Sequence, residues 1–262
     1  MLIKALFMST SKIAVAVLSV MLSFSVSAAM TISGTRIIFP GGQKEVSVRT
    51  NNKGDHPPLV QVWVDDGKST GDVNNMKVPF IVTPPIYRVE PGKGQTVRVI
   101  YNGMPLPQDR ESLYWFNMLE IPPVQAINSE NKNRLELAFR TRIKIIYRPS
   151  SLGYSGVGKL DNVAWQLIDN PQYGRGVKVS NPTAYYMNFD GGEFKANGKI
   201  WKIDLDMLAP LETKEFYAKP AMPAGSPVSD ATFRIINDYG AAMVRELKSA
   251  SSNTLKLSAN NK

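Results

Sequence analysis

Residues 135–149 read Leu-Glu-Leu-Ala-Phe-Arg-Thr-Arg-Ile-Lys-Ile-Ile-Tyr-Arg-Pro and predict one long β-strand. Apolar residues, with one threonine, occupy every second position, and charged or small residues fill the positions between them. The alternating row consists of Leu135, Leu137, Phe139, Thr141, Ile143 and Ile145. The pattern continues to Tyr147, so this strand is more than twice as long as an average one of about 5–6 residues. Its first half should therefore project past the core of its own domain.

A strand with an exposed apolar row is a hazard, because its edge can pair with another chain. Covering each such side chain contributes roughly 1.5–3 kcal/mol. When a foreign strand joins such an edge, main-chain hydrogen bonds give affinity and alternating side chains give register. The bases on the same strand offer a second contact, because a cation can hold a terminal carboxylate. We interpret the strand as one that pairs with another polypeptide; the alternative is that its apolar row only fills a core.

The N-terminal segment predicts an export signal rather than part of the fold. Lys4 and Lys12 give a positive start, residues 13–26 are largely apolar, and Val26-Ser27-Ala28-Ala29 offers small residues to a signal peptidase. We expect residues 1–29 to be removed, with cleavage after Ala28 or Ala29, and the mature chain to be exported. An uncleaved N-terminal anchor is the alternative.

Charge and cysteine content exclude several function classes. The formal net charge of +9 falls to +7 when Lys4 and Lys12 leave with the leader. A basic surface can meet nucleic acid, anionic lipid or an acidic protein, but export makes nucleic acid an unexpected partner. The chain has no cysteine, which excludes thiol catalysis, a thiolate metal site and disulfides.

The rest of the chain alternates short β-rich runs with Pro, Gly and Asn turn signals, which indicates an all-β fold. Residues 150–157 are rich in serine and glycine and predict a linker. We therefore predict two β-sandwiches, over residues 30–149 and 158–249. Residues 250–262 are mostly polar, and we expect them to form a mobile tail.

The inventory of catalytic groups is poor. The one histidine, His56, precedes Pro57-Pro58 in a predicted loop, and Ser155 lacks the spacing of a nucleophile elbow. Asp204 and Asp206 could share a face of a strand. A metal site or a carboxylate-pair hydrolase at these two acids is weakly supported and is not excluded, and we predict no metal, no cofactor and no enzymatic activity.

Several segments carry a resemblance to a known family. Ile143-Lys144-Ile145-Ile146-Tyr147-Arg148-Pro149 is similar to the signature that closes the first domain of the periplasmic pilus chaperones, the PapD-like family. Further matching segments follow the family's order between about Met30 and Leu247. They are residues 33–39, 83–85, 106–112, 115–123, 181–186 and 236–240. One segment alone is moderately specific, but the ordered set is typical of this family.

The resemblance implies two immunoglobulin-like domains set at an angle around a cleft. It further implies a chaperone that binds incomplete fimbrial subunits in the periplasm and donates a strand that completes their fold. The subunits would then pass to an outer-membrane usher, and no cofactor or ATP would be needed. Client-free protein could also associate with itself.

The resemblance also assigns residue roles. Arg36 and Lys144 would hold the C-terminal carboxylate of the subunit. Arg98, Glu111 and Asp238 would form a charged trio that fixes the angle between the domains. The donated side chains would be Leu135, Leu137, Phe139, Thr141 and Ile143.

Two questions stay open from sequence alone. Strict alternation puts Lys144 on the face of the strand opposite to Phe139, so either a bulge intervenes or the lysine reaches the cleft from the other side. The second question is the class of protein. The main rival to a chaperone is a secreted structural β-sandwich, either an adhesin or a pilus subunit. Such a protein commonly carries a disulfide, and this chain has no cysteine.

Overall fold

The structure, a computed structural model, describes residues 30–68, 77–123, 137–153 and 155–258. Within these ranges the chain forms β-strands and one short 3₁₀ helix, Val157–Asn162. The strands before this helix are β1 (Met30–Ile32), β2 (Arg36–Pro40), β3 (Glu45–Asn52), β4 (Leu59–Asp65), β5 (Phe80–Thr83), β6 (Ile86–Arg88), β7 (Gly94–Tyr101), β8 (Ser112–Ile121) and β9 (Phe139–Arg148). Those after it are β10 (Ala164–Asn170), β11 (Gly174–Ser180), β12 (Phe189–Ala196), β13 (Lys199–Ile203), β14 (Thr213–Lys219), β15 (Asp230–Ile236), β16 (Ala242–Ser251) and β17 (Thr254–Leu257). The all-β prediction is confirmed.

The first domain consists of two sheets, with strand orders β1-β3-β7-β5 and β2-β9-β8-β4-β6. Alternate residues of the strands point inward, as a period of two requires. Phe39, Phe80, Tyr101 and Tyr147 form an aromatic cluster in this core, with the rings of Phe39 and Phe80 4.9 Å apart between centroids. Besides Tyr147, the long strand contributes Ile143 and Ile145 to this core, and both are buried.

The second domain has its own core. Its strands pair in the closed order β10-β11-β14-β13-β12-β15-β16-β17, so that β17 returns to β10. Trp165 stacks on Phe233 with ring centroids 4.6 Å apart, and Phe189 meets both rings edge-on. Two separate cores, the second of which includes Leu160 of the 3₁₀ helix, agree with the two β domains predicted from the sequence.

The prediction of a mobile polar tail from residue 250 is wrong. β16 runs to Ser251, and a short turn leads into β17, which pairs with both β16 and β10. Leu255 is buried in the second core beside Trp165. Leu255 and Leu257 alternate with Thr254 and Lys256, which is a strand pattern. The serines and asparagines around this short segment made the region look like a polar tail.

The predicted long strand is confirmed over β9, Phe139–Arg148. Leu135, which was predicted to start the apolar row, lies outside the described residues. The predicted leader, residues 1–29, and the last part of the predicted tail, residues 259–262, also lie outside them. In the part of the chain that is described, no helix has the length and apolar character to cross a bilayer.

Candidate functional site

Strand β9 has two halves with different neighbours. The whole strand pairs antiparallel with β8, from Glu120↔Phe139 to Ser112↔Tyr147. On its other side β2 pairs in parallel, but only from Arg36↔Lys144 onward. Residues Phe139–Ile143, here called the open half, therefore have no strand on their second side within the described ranges. Residues Lys144–Arg148, here called the fixed half, are held on both sides.

The open half carries the exposed apolar row. Phe139 is 59% exposed, and Leu137, just before the strand, is 54% exposed. Thr141 is exposed as well, whereas Ile143, the next residue of the row, is buried against the first core. The transition from exposed to buried side chains thus falls at the end of the open half. Of the predicted donor residues, Leu137, Phe139 and Thr141 lie on the accessible part of the edge.

Arg36 and Lys144 lie side by side at the point where the open half ends. They are direct partners in the parallel register of β2 and β9. Both side chains reach toward the second domain: Lys144 Nζ donates to Asn188 Oδ1 at 3.0 Å, and Arg36 Nη1 donates to the carbonyl of Ile236 at 3.3 Å. The β8–β9 register runs without a shift, so no bulge intervenes. Lys144 therefore stays on the face opposite Phe139 and lies in the space between the domains.

The electrostatics of these two cations favour an incoming anion. Burial, followed by the charge of Arg36, lowers the pKa of Lys144 below its ordinary 10.5. Burial also lowers the pKa of Arg36, against the opposing effect of Asp238. Arg36 Nε is buried and has no hydrogen-bond partner among the described residues. Within the same ranges neither cation forms an ion pair with a carboxylate. A carboxylate placed between them would remove part of the cost of their burial.

Two of the three residues predicted for the charged trio come together in the structure. Glu111 and Asp238 do meet between the domains, but the base that joins them is Arg148, and the assignment of Arg98 was wrong. Arg148 Nε donates to Glu111 Oε1 at 2.6 Å, and its two Nη atoms reach the two oxygens of Asp238 at 2.8 and 3.0 Å. Arg98 instead pairs with Glu45 across the β3–β7 ladder, with Nε 3.0 Å from Oε1, on an exposed face of the other sheet.

The trio ties the linker end of β9 to the second domain. The side chain of Arg148 is only 9% exposed. Burial alone would lower the pKa of Arg148, but the hydrogen bonds and charges of Asp238 and Glu111 raise it above its ordinary value. Glu111 extends the contact, because its Oε2 accepts from the backbone N–H of Tyr186 at 2.7 Å and its own N–H donates to Ala184. Three charged groups therefore connect the two domains beside the cation pair.

Arg148 was missed although its signal was present in the sequence. It follows Lys144 by four residues, so it lies on the same face of β9, which is the face that Lys144 turns toward the second domain. It also directly precedes Pro149 and the linker. A base at that position is the natural partner for an acid of the following domain.

The alternative catalytic residues do not come together. Asp204 forms an exposed ion pair with Lys219 at 2.9 Å, and Asp206 accepts the backbone N–H of Met207. His56 contacts the neighbouring exposed Asp55. Among the described residues there is no group of three or more His, Cys, Asp or Glu side chains that could hold a metal ion. These residues therefore offer no convergent site.

The chain thus has a two-domain β fold with one half-open strand and a cation pair at the end of its open half. Family models agree: the PapD N-terminal domain of pili and flagellar-assembly chaperones matches residues 29–153, and the PapD C-terminal domain matches residues 159–247. The chain therefore belongs to the PapD-like family of periplasmic pilus-assembly chaperones. It is a chaperone, as the resemblance predicted, and not an enzyme or a pilus subunit.

Individual relatives agree with this assignment. The probable fimbrial chaperone YadV of Escherichia coli (strain K12) is 40% identical over 224 residues, which are 84% of this chain and 90% of that protein. The crystal structure of the YadV chaperone superposes with a TM-score of 0.70 and 36% identity, over 85% of this chain and 100% of that one. A structure of the Salmonella enterica SafA pilin in complex with the SafB chaperone matches with a TM-score of 0.69 and 25% identity, over 86% and 99% of the two chains.

Proposed function

We propose that this chaperone captures a fimbrial subunit by pairing the open half of β9 with an incomplete edge of the subunit. The observation that carries the proposal is the coincidence of three features at one place. The open edge, the exposed row of Leu137, Phe139 and Thr141, and the cation pair of Arg36 and Lys144 all meet at residues 137–144. The proposal is supported by the SafA–SafB complex, in which a related chaperone is bound to a pilin.

The positions of the cations also define the direction of the bound strand. β2 begins at Arg36, directly in line with the unoccupied edge. A subunit strand that fills this edge would end against β2. If its C-terminal carboxylate lies between Arg36 and Lys144, the strand runs parallel to β9. It would then take up the open half's main-chain hydrogen bonds and be stopped by the cations.

The energy of capture comes from two sources. Each apolar side chain of the row that is covered by the subunit contributes roughly 1.5–3 kcal/mol. The carboxylate adds charge-assisted hydrogen bonds with two cations that burial has already partly desolvated. Both contributions arise from folding and binding alone, so no nucleotide or cofactor is required.

The family and the predicted leader support a proposal for the cellular setting. We propose that residues 1–29 direct export to the periplasm and are then removed, and that the captured subunit is handed to an outer-membrane usher. Detection of a mature N-terminus at Ala29 or Met30 in a periplasmic extract would support export. A protein that retains Lys4 and Lys12 in the cytoplasm would contradict it.

The test of capture is co-purification of subunits from the periplasm with tagged wild-type protein, Arg36→Ala, Lys144→Ala and the control Arg98→Ala. We expect the wild-type protein and the control to recover the same subunit. The two cation variants should lose it while their thermal unfolding stays near that of the wild-type protein. Normal recovery by Arg36→Ala and Lys144→Ala would overturn the assignment of the carboxylate site.

Self-association of the client-free protein rests on the same edge, since a second copy could cover the exposed row. We propose a concentration-dependent dimer, to be measured by sedimentation equilibrium. Leu137→Glu should reduce it, because it places a charge on the row. A wild-type protein that stays monomeric at high concentration would contradict the proposal.

A further inference from the structure

A cluster of polar and aromatic side chains lies on the face of β9 opposite the apolar row. The acid at its centre is Asp65, the last residue of β4, whose side chain is only 2% exposed. Arg140 Nη2 donates to Asp65 Oδ2 at 3.1 Å, and Arg142 Nη2 donates to Asp65 Oδ1. Both arginines belong to the open half. One buried carboxylate therefore holds two side chains of the strand that has a free edge.

The cluster crosses three strands of the sheet. β8 lies between β9 and β4, and its Asn117 completes the link. Asn117 Nδ2 donates to Asp65 Oδ2 at 2.9 Å, while Asn117 Oδ1 accepts from Arg140 Nη2 at 2.7 Å. The backbone N–H of Gly67 also donates to Asp65 Oδ1 at 2.8 Å. Asp65, Asn117 and the two arginines are thus joined in one hydrogen-bonded group.

Tryptophan rings fix the two arginines further. The Arg140 guanidinium lies 5.0 Å from the ring centroid of Trp63, and that of Arg142 lies 4.2 Å from Trp115. Such cation–π contacts are stronger when the groups are partly desolvated. Each arginine is therefore held by a carboxylate at its tip and by an aromatic face, and its long side chain has little rotational freedom.

These contacts are made by the half of β9 that has a neighbouring strand on one side only. The fixed half is bonded to β2 and β8 and buries Ile145 in the core. The open half has only β8 beside it among the described residues, and its Phe139 lies in solvent, while Ile143 at its end is buried. Ordering a segment during binding costs conformational entropy, and a strand that is already extended avoids that cost.

We infer that Asp65 is a positioning residue for subunit capture: through Arg140, Arg142 and Asn117 it holds the open half extended before a subunit arrives. Asp65 lies across β8 from the open edge, so a strand bound at that edge would not reach it. The inference rests on the proposed function for its purpose, but the order of the open half can be measured without any subunit.

A purely structural role for Asp65 makes a different prediction. A buried ion cluster that served only stability would, when broken, loosen the whole domain equally. A positioning role confines the change to residues 139–143 and leaves the fixed half protected. Amide hydrogen exchange of the client-free, full mature chain separates these cases, because it reports local opening segment by segment.

The experiment compares Asp65→Asn with Glu45→Gln, which also turns a paired carboxylate of the first domain into an amide, but on the exposed face of the other sheet. In Asp65→Asn we expect the amides of the open half that donate to β8 to exchange about tenfold faster. Amides of the fixed half should keep their wild-type rates. Glu45→Gln should change neither set.

Capture is measured in parallel with the subunit that co-purifies with the wild-type protein. Asp65→Asn should bind it about tenfold more weakly, and Glu45→Gln should bind it normally. Unchanged exchange in the open half, or equal loosening of both halves, would overturn the positioning role. If the wild-type protein recovers no subunit, the proposed function fails, whereas the exchange result still decides whether Asp65 orders the strand.

A second variant covers the case in which Asp65→Asn does not fold. Arg140→Gln combined with Arg142→Gln removes the two partners of Asp65 from β9 and leaves Asn117 and Gly67 in place. Both arginines are partly exposed, so this variant should fold. We expect the same local increase in exchange over residues 139–143, and wild-type exchange there would contradict the inference.

Discussion

The open half and the fixed half of β9 have the same alternating pattern but opposite roles. In the fixed half Ile145 fills the core, and Lys144 and Arg148 reach the second domain. In the open half Phe139 lies in solvent, and Arg140 and Arg142 are held on the sheet's outer face. The difference lies in where β2 begins, because its first residue, Arg36, pairs with Lys144. One strand therefore contributes both a core element and an open edge.

The largest effect is expected from removing the base that anchors the fixed half. Arg148→Ala leaves Glu111 buried without its cationic partner and should cost about 3–5 kcal/mol of unfolding free energy. Urea denaturation measures this cost. Arg98→Ala serves as the control and should change stability little, because its ion pair with Glu45 is exposed. Equal effects of the two variants would show that Arg148 does not anchor the domain.

A direct comparison of the halves uses the two apolar residues Ile145 and Phe139. Ile145→Ala creates a cavity and should lower the free energy of unfolding by about 2–5 kcal/mol. Phe139→Ala should change it by no more than about 0.5 kcal/mol, yet should weaken subunit binding by roughly 1.5–3 kcal/mol. Unfolding curves and binding titrations measure, for each of the two variants, the change in the free energy of unfolding and the change in the free energy of subunit binding. If Phe139→Ala destabilised the free protein as much as Ile145→Ala, the open half would be part of the core.

The smallest effect is the pH dependence of the residue at the boundary, Lys144. Its pKa is lowered in the folded protein, so the folded state binds fewer protons than the unfolded state between that pKa and 10.5. Stability of the client-free protein should therefore rise with pH in this window. Subunit binding should fall in the same window, because only the ammonium form holds a carboxylate.

Lys144→Arg is the matched variant for this measurement. The guanidinium stays charged, so binding by the variant should remain flat while binding by the wild-type protein declines. Titrations of the subunit at a series of alkaline pH values test both statements. A parallel decline in both proteins would assign the pH dependence to another group.

Much of the fold could be predicted from the sequence because local pattern and tertiary structure agree there. Alternation at Ile143 and Ile145 predicted the core half of β9, and turn signals between β-rich runs predicted the all-β fold. The strand Thr254–Leu257 was missed because it has only four residues and its neighbours are polar, so its burial depends on the gap between β10 and β16. That gap is a tertiary feature.

The site was predicted less evenly than the fold. The resemblance brought Arg36 and Lys144 together correctly as neighbours, which two positions so far apart in sequence could not show alone. It assigned Arg98 in place of Arg148. The sequence does not show which charged residues are neighbours when they lie far apart along the chain, because this depends on how the domains pack. The cluster around Asp65 was not predicted, since its partners come from three different strands.

The burial of Leu255 has a practical consequence for work with shortened chains. A version that stops at residue 247, where the family match ends, would lack the strand that covers Trp165 and Gln166. The second domain would then expose an unpaired strand edge of its own, which could pair with strands of proteins other than the fimbrial subunits. Affinity tags are therefore better added after Lys262. Aggregation of a truncated protein should not be attributed to β9.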